Sequence, residues 1–293
     1  MIVGVDGSDR SRDALALAQA LTEPGRRLLI VYVHPFGELA SLLKDGRYED
    51  LVREAAESVA RQAHEVLDPR TERELRIVSG RSPAAALQQL ALETDAGLIA
   101  VGSSERSGMG RVLAGSVAEA LLSGAPVPVA VAPGGYAAAR PEPPGVIGCA
   151  FDASIEARHA LEFAADLARR LSAGIRIIGV HQPVIFGSAS VSGSFGYRSA
   201  NEALRGVLGA ALDEASRELD PHAHAATVLL DGPAAPTLIA QSAELDLLVA
   251  GSRGYGPVRR VLVGSVSRAL VREAACPVVV VPRPDHSDSE ASS

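Results

Sequence analysis

Short runs of apolar, β-branched residues alternate along this chain with stretches in which apolar positions recur every three to four residues. The runs Leu28–Val33, Leu75–Ser79, Leu98–Gly102 and Val127–Ala132 predict buried strands. The Ala/Leu/Arg/Glu-rich stretches between them predict amphipathic helices. The chain starts on a strand, "MIVGVDGSD", and Ser8 is placed to cap the helix that follows. Strand and helix in strict alternation predict an α/β, Rossmann-like domain, a five-stranded parallel sheet with helices on both faces.

The pattern then runs a second time. Strands are predicted at Ile147–Asp152, Ile175–Val180, Ala226–Leu230, Leu247–Gly251 and Val278–Val281, with Ser154 as the cap after the first. The repeat is visible in the residues themselves. "IVGVDGSDRSRDALALAQAL" resembles "IGCAFDASIEARHALEFAADL", pairing Asp6 with Asp152 and Ser8 with Ser154. Later, Gly102 pairs with Gly251, Gly115-Ser116 with Gly264-Ser265 and Pro133 with Pro282. A period this long means two tandem domains of one fold. The expected division is 1–133, a Pro/Gly/Ala-rich linker 134–145, a second domain 146–283, and a polar, acidic tail 284–293 without order.

Composition narrows the functions. Apolar residues make up 47% of the 293, enough for a core in each half. The net charge of -7 opposes general nucleic-acid binding. Aromatics at 3%, with no Trp, remove the stacking platforms of single-strand binders. No apolar run reaches the ~18 residues of a membrane span. Cys149 and Cys276 sit in apolar settings and read as buried thiols, which together with the absence of a basic leader points to the reducing cytoplasm.

The candidate chemistry lies where the fourth strand of each copy ends. "GSRGYGPVRRVLVGS" leaves Gly251 through Gly254 and Gly256, passes Arg253, Arg259 and Arg260, and enters a helix at Gly264-Ser265. Glycines permit close backbone approach, and the helix start offers unpaired N–H groups, so the arrangement predicts a phosphate chain. The Walker form fails for want of a Lys after Gly115 or Gly264. The dinucleotide fingerprint fails because Arg259 stands at its third glycine, and no G-x-S-x-G elbow occurs.

Gly251-x2-Gly254-x9-Gly264-Ser265, with Asp6 in "GVDGS", Val33 before "HPF" and the closing "CPVVVVP", resembles the ATP-binding signature of the universal stress protein family. The resemblance spans nearly the whole chain. It implies strand order 3-2-1-4-5, with strands 1 and 4 flanking the ligand and strand 5 at an interface. It implies that Asp152 and Val180 touch adenosine while Gly251, Gly254, Gly264, Ser265 and Val266 hold ribose and phosphates, with Arg253 adding charge. In the first copy the corresponding set is Gly4, Asp6, Val33, Gly102, Gly115, Ser116 and Val117, with Arg106 nearby.

Two departures matter. Glu105 replaces the second loop glycine of the first copy, and Ala150 replaces the counterpart of Gly4 in the second. Arg106, Arg111, Gly108 and Gly110 are placed to compensate Glu105 in part. The expected ligand is ATP with Mg²⁺ on its phosphates, bound more tightly by the second domain. No residue stands out as a general base for phosphoryl transfer, so a regulatory binder is favoured. An ATP-using enzyme of a related fold, with only Ser8 and Asp9 at hand, and a ligand-free interaction module remain as alternatives. The apolar fifth strands predict pairing of the two domains, and a dimer of chains is compatible with them. His222 and His224 read as surface histidines, and residues 186–199 as a lid or a plain loop.

Overall fold

The computed structural model describes residues 1–23, 25–34, 47–103, 106–107, 111–112, 116–139, 141–183, 194–219, 224–252 and 264–283. In the first half, β1 (Ile2–Val5) leads into α1 (Asp9–Leu21). Then follow β2 (Leu28–His34), α2 (Arg47–Val66), β3 (Arg73–Ser79), α3 (Pro83–Glu93), β4 (Ile99–Gly102), α4 (Ser116–Leu122) and β5 (Val129–Ala132). The second half repeats the plan. It runs β6 (Val146–Phe151), α5 (Ile155–Leu171), β7 (Gly174–His181), α6 (Ser194–Glu218), β8 (Ala225–Asp231), α7 (Ala234–Gln241), β9 (Leu247–Gly251), α8 (Ser265–Glu273) and β10 (Val278–Val281).

Within each half the strands are parallel in the order 3-2-1-4-5. The halves join through β5 and β10, which pair antiparallel with Val131 opposite Val278 and Val129 opposite Val280. One ten-stranded sheet results, β3-β2-β1-β4-β5-β10-β9-β6-β7-β8. Neither fifth strand is left as an apolar edge, as the sequence predicts. Successive residues along each strand face opposite sides. Val3, Leu15, Ala130, Ile147 and Val279 therefore share one core, while Ile2, Leu87, Val131, Leu248 and Val280 share the other. Each core draws on both halves.

The third strands correct the expectation of buried strands. β3 and β8 are the sheet's outer edges, and Leu75 and Ile77 are 37% and 46% exposed. An edge strand lacks a neighbour on one side, so alternate apolar residues remain half open.

The segment 134–145 is docked as well as connecting. Tyr136–Ala139 forms a 3-10 turn against α1. Burial pushes the Tyr136 hydroxyl up to about 12, helped by the Asp246 charge. Asp246 accepts hydrogen bonds from the N–H groups of Gly145 and Val146, both at 2.9 Å, and so fixes the start of β6. Of residues 186–199, Ser194–Ser199 begin α6 and the rest lie outside the described residues, as do His222 and the tail 284–293. His224 is exposed, with a φ of 44°. Among the described residues no helix is long and apolar enough to cross a membrane.

Candidate functional site

The order 3-2-1-4-5 reverses direction at strand 1. Chain from β1 turns one way to β2, and chain from β3 crosses back to β4. The crevice beyond the carboxyl ends of strands 1 and 4 is where open α/β sheets take ligands. β1 and β4 are direct neighbours, with Ile2 opposite Ile99 and Val3 opposite Ala100. β6 and β9 repeat this, with Ile147 opposite Leu247.

A cleft of about 270 Å³ opens there in the first domain. Gly4, Asp6, Val33, Gly102, Ser116 and Val117 all line it, as do Arg10 and Ser11. The second domain has a cleft of about 210 Å³ lined by Asp152, Val180, Gly251, Gly264 and Val266, together with Ala150, Glu156 and Ser267. Ser265 does not line it but stands exposed at the first turn of α8. Gly115, Glu105, Gly108, Gly110, Arg253, Gly254, Arg259 and Arg260 lie outside the described residues, and Arg106 and Arg111 are described only as backbone of a two-residue ladder.

Asp6 is a turn residue and a cleft residue at once. Its Oδ1 accepts from the Ser8 N–H at 3.0 Å, the Ser8 hydroxyl at 2.5 Å and the Ser11 hydroxyl at 2.8 Å. Burial works to raise its pKa, but the bonds from Ser8 and Ser11 and the Arg10 charge outweigh this and hold it below the ordinary value. Ser8 occupies the cap position of α1, yet its side chain accepts no cap hydrogen bond. The Ser11 N–H goes instead to the Ser8 carbonyl oxygen at 3.0 Å, and the Ser11 hydroxyl oxygen takes the N–H groups of Asp6 and Gly7 and ties the turn together. In the second copy Ala157 stands in that place. There Ser154 both donates to Asp152 at 2.5 Å and caps α5 by accepting from the Ala157 N–H at 3.1 Å.

The strand-end glycines have a packing role before any ligand is considered. A Cβ on Gly102 would fall 2.3 Å from the Arg10 carbonyl oxygen, and one on Gly251 would fall 2.6 Å from that of Glu156. Gly4 differs, because its nearest obstacle is the Leu87 side chain at 2.8 Å. A side chain can yield where a backbone cannot, which is how Ala150 fits the same place in the second copy. Ser267 donates to the Gly251 carbonyl at 2.8 Å and steadies that strand end. Directly after each glycine, the buried Ser103 and Ser252 hydroxyls have no partner among the described residues. A polar group of a ligand or a water would satisfy either one.

Sequence reasoning missed Arg10, Ser11, Glu156 and Ser267. The first three sit in the opening turn of the helix after strand 1, where comparing the copies residue by residue would have exposed them. Cys149 and Cys276 are free and buried, each thiol pushed up to about 12 by burial, which leaves them inert. Among the described residues no three His, Cys, Asp or Glu side chains gather as a metal site.

Comparison with known proteins agrees with this architecture. The family model described as "Universal stress protein family" matches residues 1–133 and again 145–282. The universal stress protein Rv2005c of Mycobacterium tuberculosis is 28% identical over 298 residues, covering 96% of each chain. A universal stress protein structure from Archaeoglobus fulgidus aligns over 97% of this chain and 98% of its own, with a TM-score of 0.61 at 19% identity. A functionally unknown protein from Pseudomonas aeruginosa aligns over 96% of this chain and 92% of its own, with a TM-score of 0.59 at 15% identity. With both halves matched by one family model and the whole tandem fold shared, the chain belongs to the universal stress protein family.

Proposed function

We propose that this protein binds ATP in the crevice between strands 1 and 4 of each domain and acts as a nucleotide-responsive regulator in a stress response, in the cytoplasm. The observation that carries the reading is convergence. Asp6, Val33, Gly102 and Ser116 come from four separate places in the sequence and line one cleft, and Asp152, Val180, Gly251 and Gly264 repeat the arrangement. In this reading the aspartate and valine meet adenosine, and the glycine loop with Ser265 or Ser116 meets the phosphates. Mg²⁺ would arrive on the phosphates and neutralise part of their charge. Asp6 keeps a second carboxylate oxygen for a ribose or adenine donor, since its turn bonds from Ser8 and Ser11 all go to Oδ1. The second domain has the complete glycine signature and is the tighter triphosphate site.

Mass spectrometry of nucleotide released from the natively purified protein tests the proposal, together with equilibrium dialysis against ATP. Bound intact ATP supports it. Rapid release of AMP in a single turnover would replace it with an ATP-using enzyme, and failure to take up any nucleotide would leave an interaction module. Gly264→Asp should remove most uptake by the second domain, because a carboxylate there opposes an anion at the start of α8.

A further inference from the structure

The sheet ends in two strands of opposite character. β3 reads Arg73-Glu74-Leu75-Arg76-Ile77-Val78-Ser79, and β8 reads Ala225-Ala226-Thr227-Val228-Leu229-Leu230-Asp231. Each pairs along its whole length with one strand, β3 with β2 and β8 with β7. Among the described residues, each leaves a row of backbone donors and acceptors open on its other side. Such edges join copies of a chain unless charge, proline or a bulge blunts them.

β3 is blunted. Glu74 binds Arg27 at 3.0 Å and Arg76 at 2.7 Å, so an ion-pair network lies along that strand. If two β3 strands paired antiparallel about their centres, Arg76 would face Arg76. Like charges directly opposite each other oppose pairing. β8 has none of these guards. It contains no Pro, and its one charged residue is already engaged. Arg205 Nε donates to both carboxylate oxygens of Asp231 at 3.1 Å, and His181 Nδ1 lies 3.0 Å from Oδ1. Both partners belong to elements already packed on β8, namely α6 and β7.

The antiparallel arrangement about the centre of β8 is free of charge repulsion. It sets Val228 opposite Val228, Thr227 opposite Leu229, Ala226 opposite Leu230 and Ala225 opposite Asp231. Opposite residues share a face, so apolar and β-branched side chains meet on both faces. Ala226 and Thr227 are exposed, and Val228, Leu229 and Leu230 are only partly buried, which leaves surface for a partner to cover. The molecule already joins like domains in this way. β5 and β10 pair antiparallel through Val131 with Val278, Ala130 with Val279 and Val129 with Val280. β8 offers seven residues, about 23 Å of strand.

We propose that β8 is the docking edge for a second copy of this chain, β8 pairing antiparallel with β8 across a twofold axis perpendicular to the sheet. The two ten-stranded sheets then fuse into one. An isologous contact uses up both β8 edges and closes as a dimer. The charged β3 edges stay at the outer ends and stop further growth. The inference is independent of the nucleotide reading and uses no residue that lines either cleft.

Sedimentation equilibrium of the full chain without nucleotide tests this, together with mild oxidation of cysteine variants. Wild type should sediment at twice the chain mass at micromolar concentration. Thr227→Lys, at an exposed position where the fold tolerates a long polar side chain, should weaken the dimer at least about tenfold, because each substitution enters the contact twice. Val228→Lys should do the same by setting two cations face to face. Val228→Cys should link chain to chain, since directly opposite residues lie about 4.5–5.5 Å apart and Cys149 and Cys276 are buried. Arg76→Cys, at the centre of β3, should stay unlinked. A wild-type chain that remains monomeric, or that grows into open-ended assemblies, would overturn the proposal. So would a dimer that withstands Thr227→Lys, or one that links through Arg76→Cys and not through Val228→Cys.

Discussion

Asp13, buried on α1, accepts the Gly135 N–H through Oδ2 at 2.9 Å, and its Oδ1 takes the Ala137 N–H at 2.8 Å. One carboxylate thus satisfies two donors of the segment between the domains and pins that segment to the first. Asp13→Ala should destabilise the protein by about 2–3 kcal/mol, the scale of charge-assisted hydrogen bonds less the relief of a buried charge. It should also open residues 134–145 to protease. Chemical denaturation and limited proteolysis check both effects, and an unchanged cleavage pattern would mean that the turn holds without Asp13.

Gly102→Ala and Gly251→Ala should destabilise by about 1–3 kcal/mol, because each methyl meets helix backbone that cannot move aside. Thermal melts of the ligand-free variants should show this. Any accompanying loss of nucleotide uptake then reports displaced α1 or α5, and does not by itself place either glycine against a ligand.

The Asp6 turn carries a pH dependence of defined sign. The folded-state pKa lies below the ordinary aspartate value of 3.8, so its contribution to stability is complete above that value. It is lost as pH falls through the depressed folded-state value. Asp6→Asn should therefore destabilise at neutral pH, and its stability should converge on wild type in the acid range. Urea denaturation across that range measures the two curves, and curves that stay parallel would show that Asp6 titrates alike folded and unfolded.

Glu105 and Gly254 lie outside the described residues, and the prediction for them rests on charge alone. A carboxylate ~6 Å from a phosphate charge at an effective dielectric of ~20 costs about 3 kcal/mol. Glu105→Gly should tighten triphosphate binding in the first domain by up to that amount, less at high salt, and Gly254→Glu should weaken the second comparably. Calorimetry on the full chain with each variant resolves the change. No response to Glu105→Gly would place that side chain away from the phosphates.

Much of the site was legible because repetition supplied an internal control. Asp6 with Asp152, Val33 with Val180 and Gly102 with Gly251 stand out as matched pairs, and each pair reappears in matching clefts. Ser116 lines its cleft and Ser265 does not, because their pairing in sequence says nothing of which way a first-turn side chain faces. Arg10 and Glu156 escaped for the opposite reason. A reading that searched for likeness between copies passed over the position where they disagree.

Local pattern alone determined the element types, their alternation and the tandem repeat, since strand and helix periods are properties of neighbouring residues. Only the tertiary structure decided which apolar strands were edges. β10 gains β5 as a second neighbour beside β9, whereas β3 pairs with β2 alone and leaves its other side open. It also decided that Gly102 and Gly251 answer first to helix packing, and that Arg283 reaches back to Glu156 across more than a hundred residues. Such contacts depend on how the chain returns upon itself, and no window of sequence contains both partners.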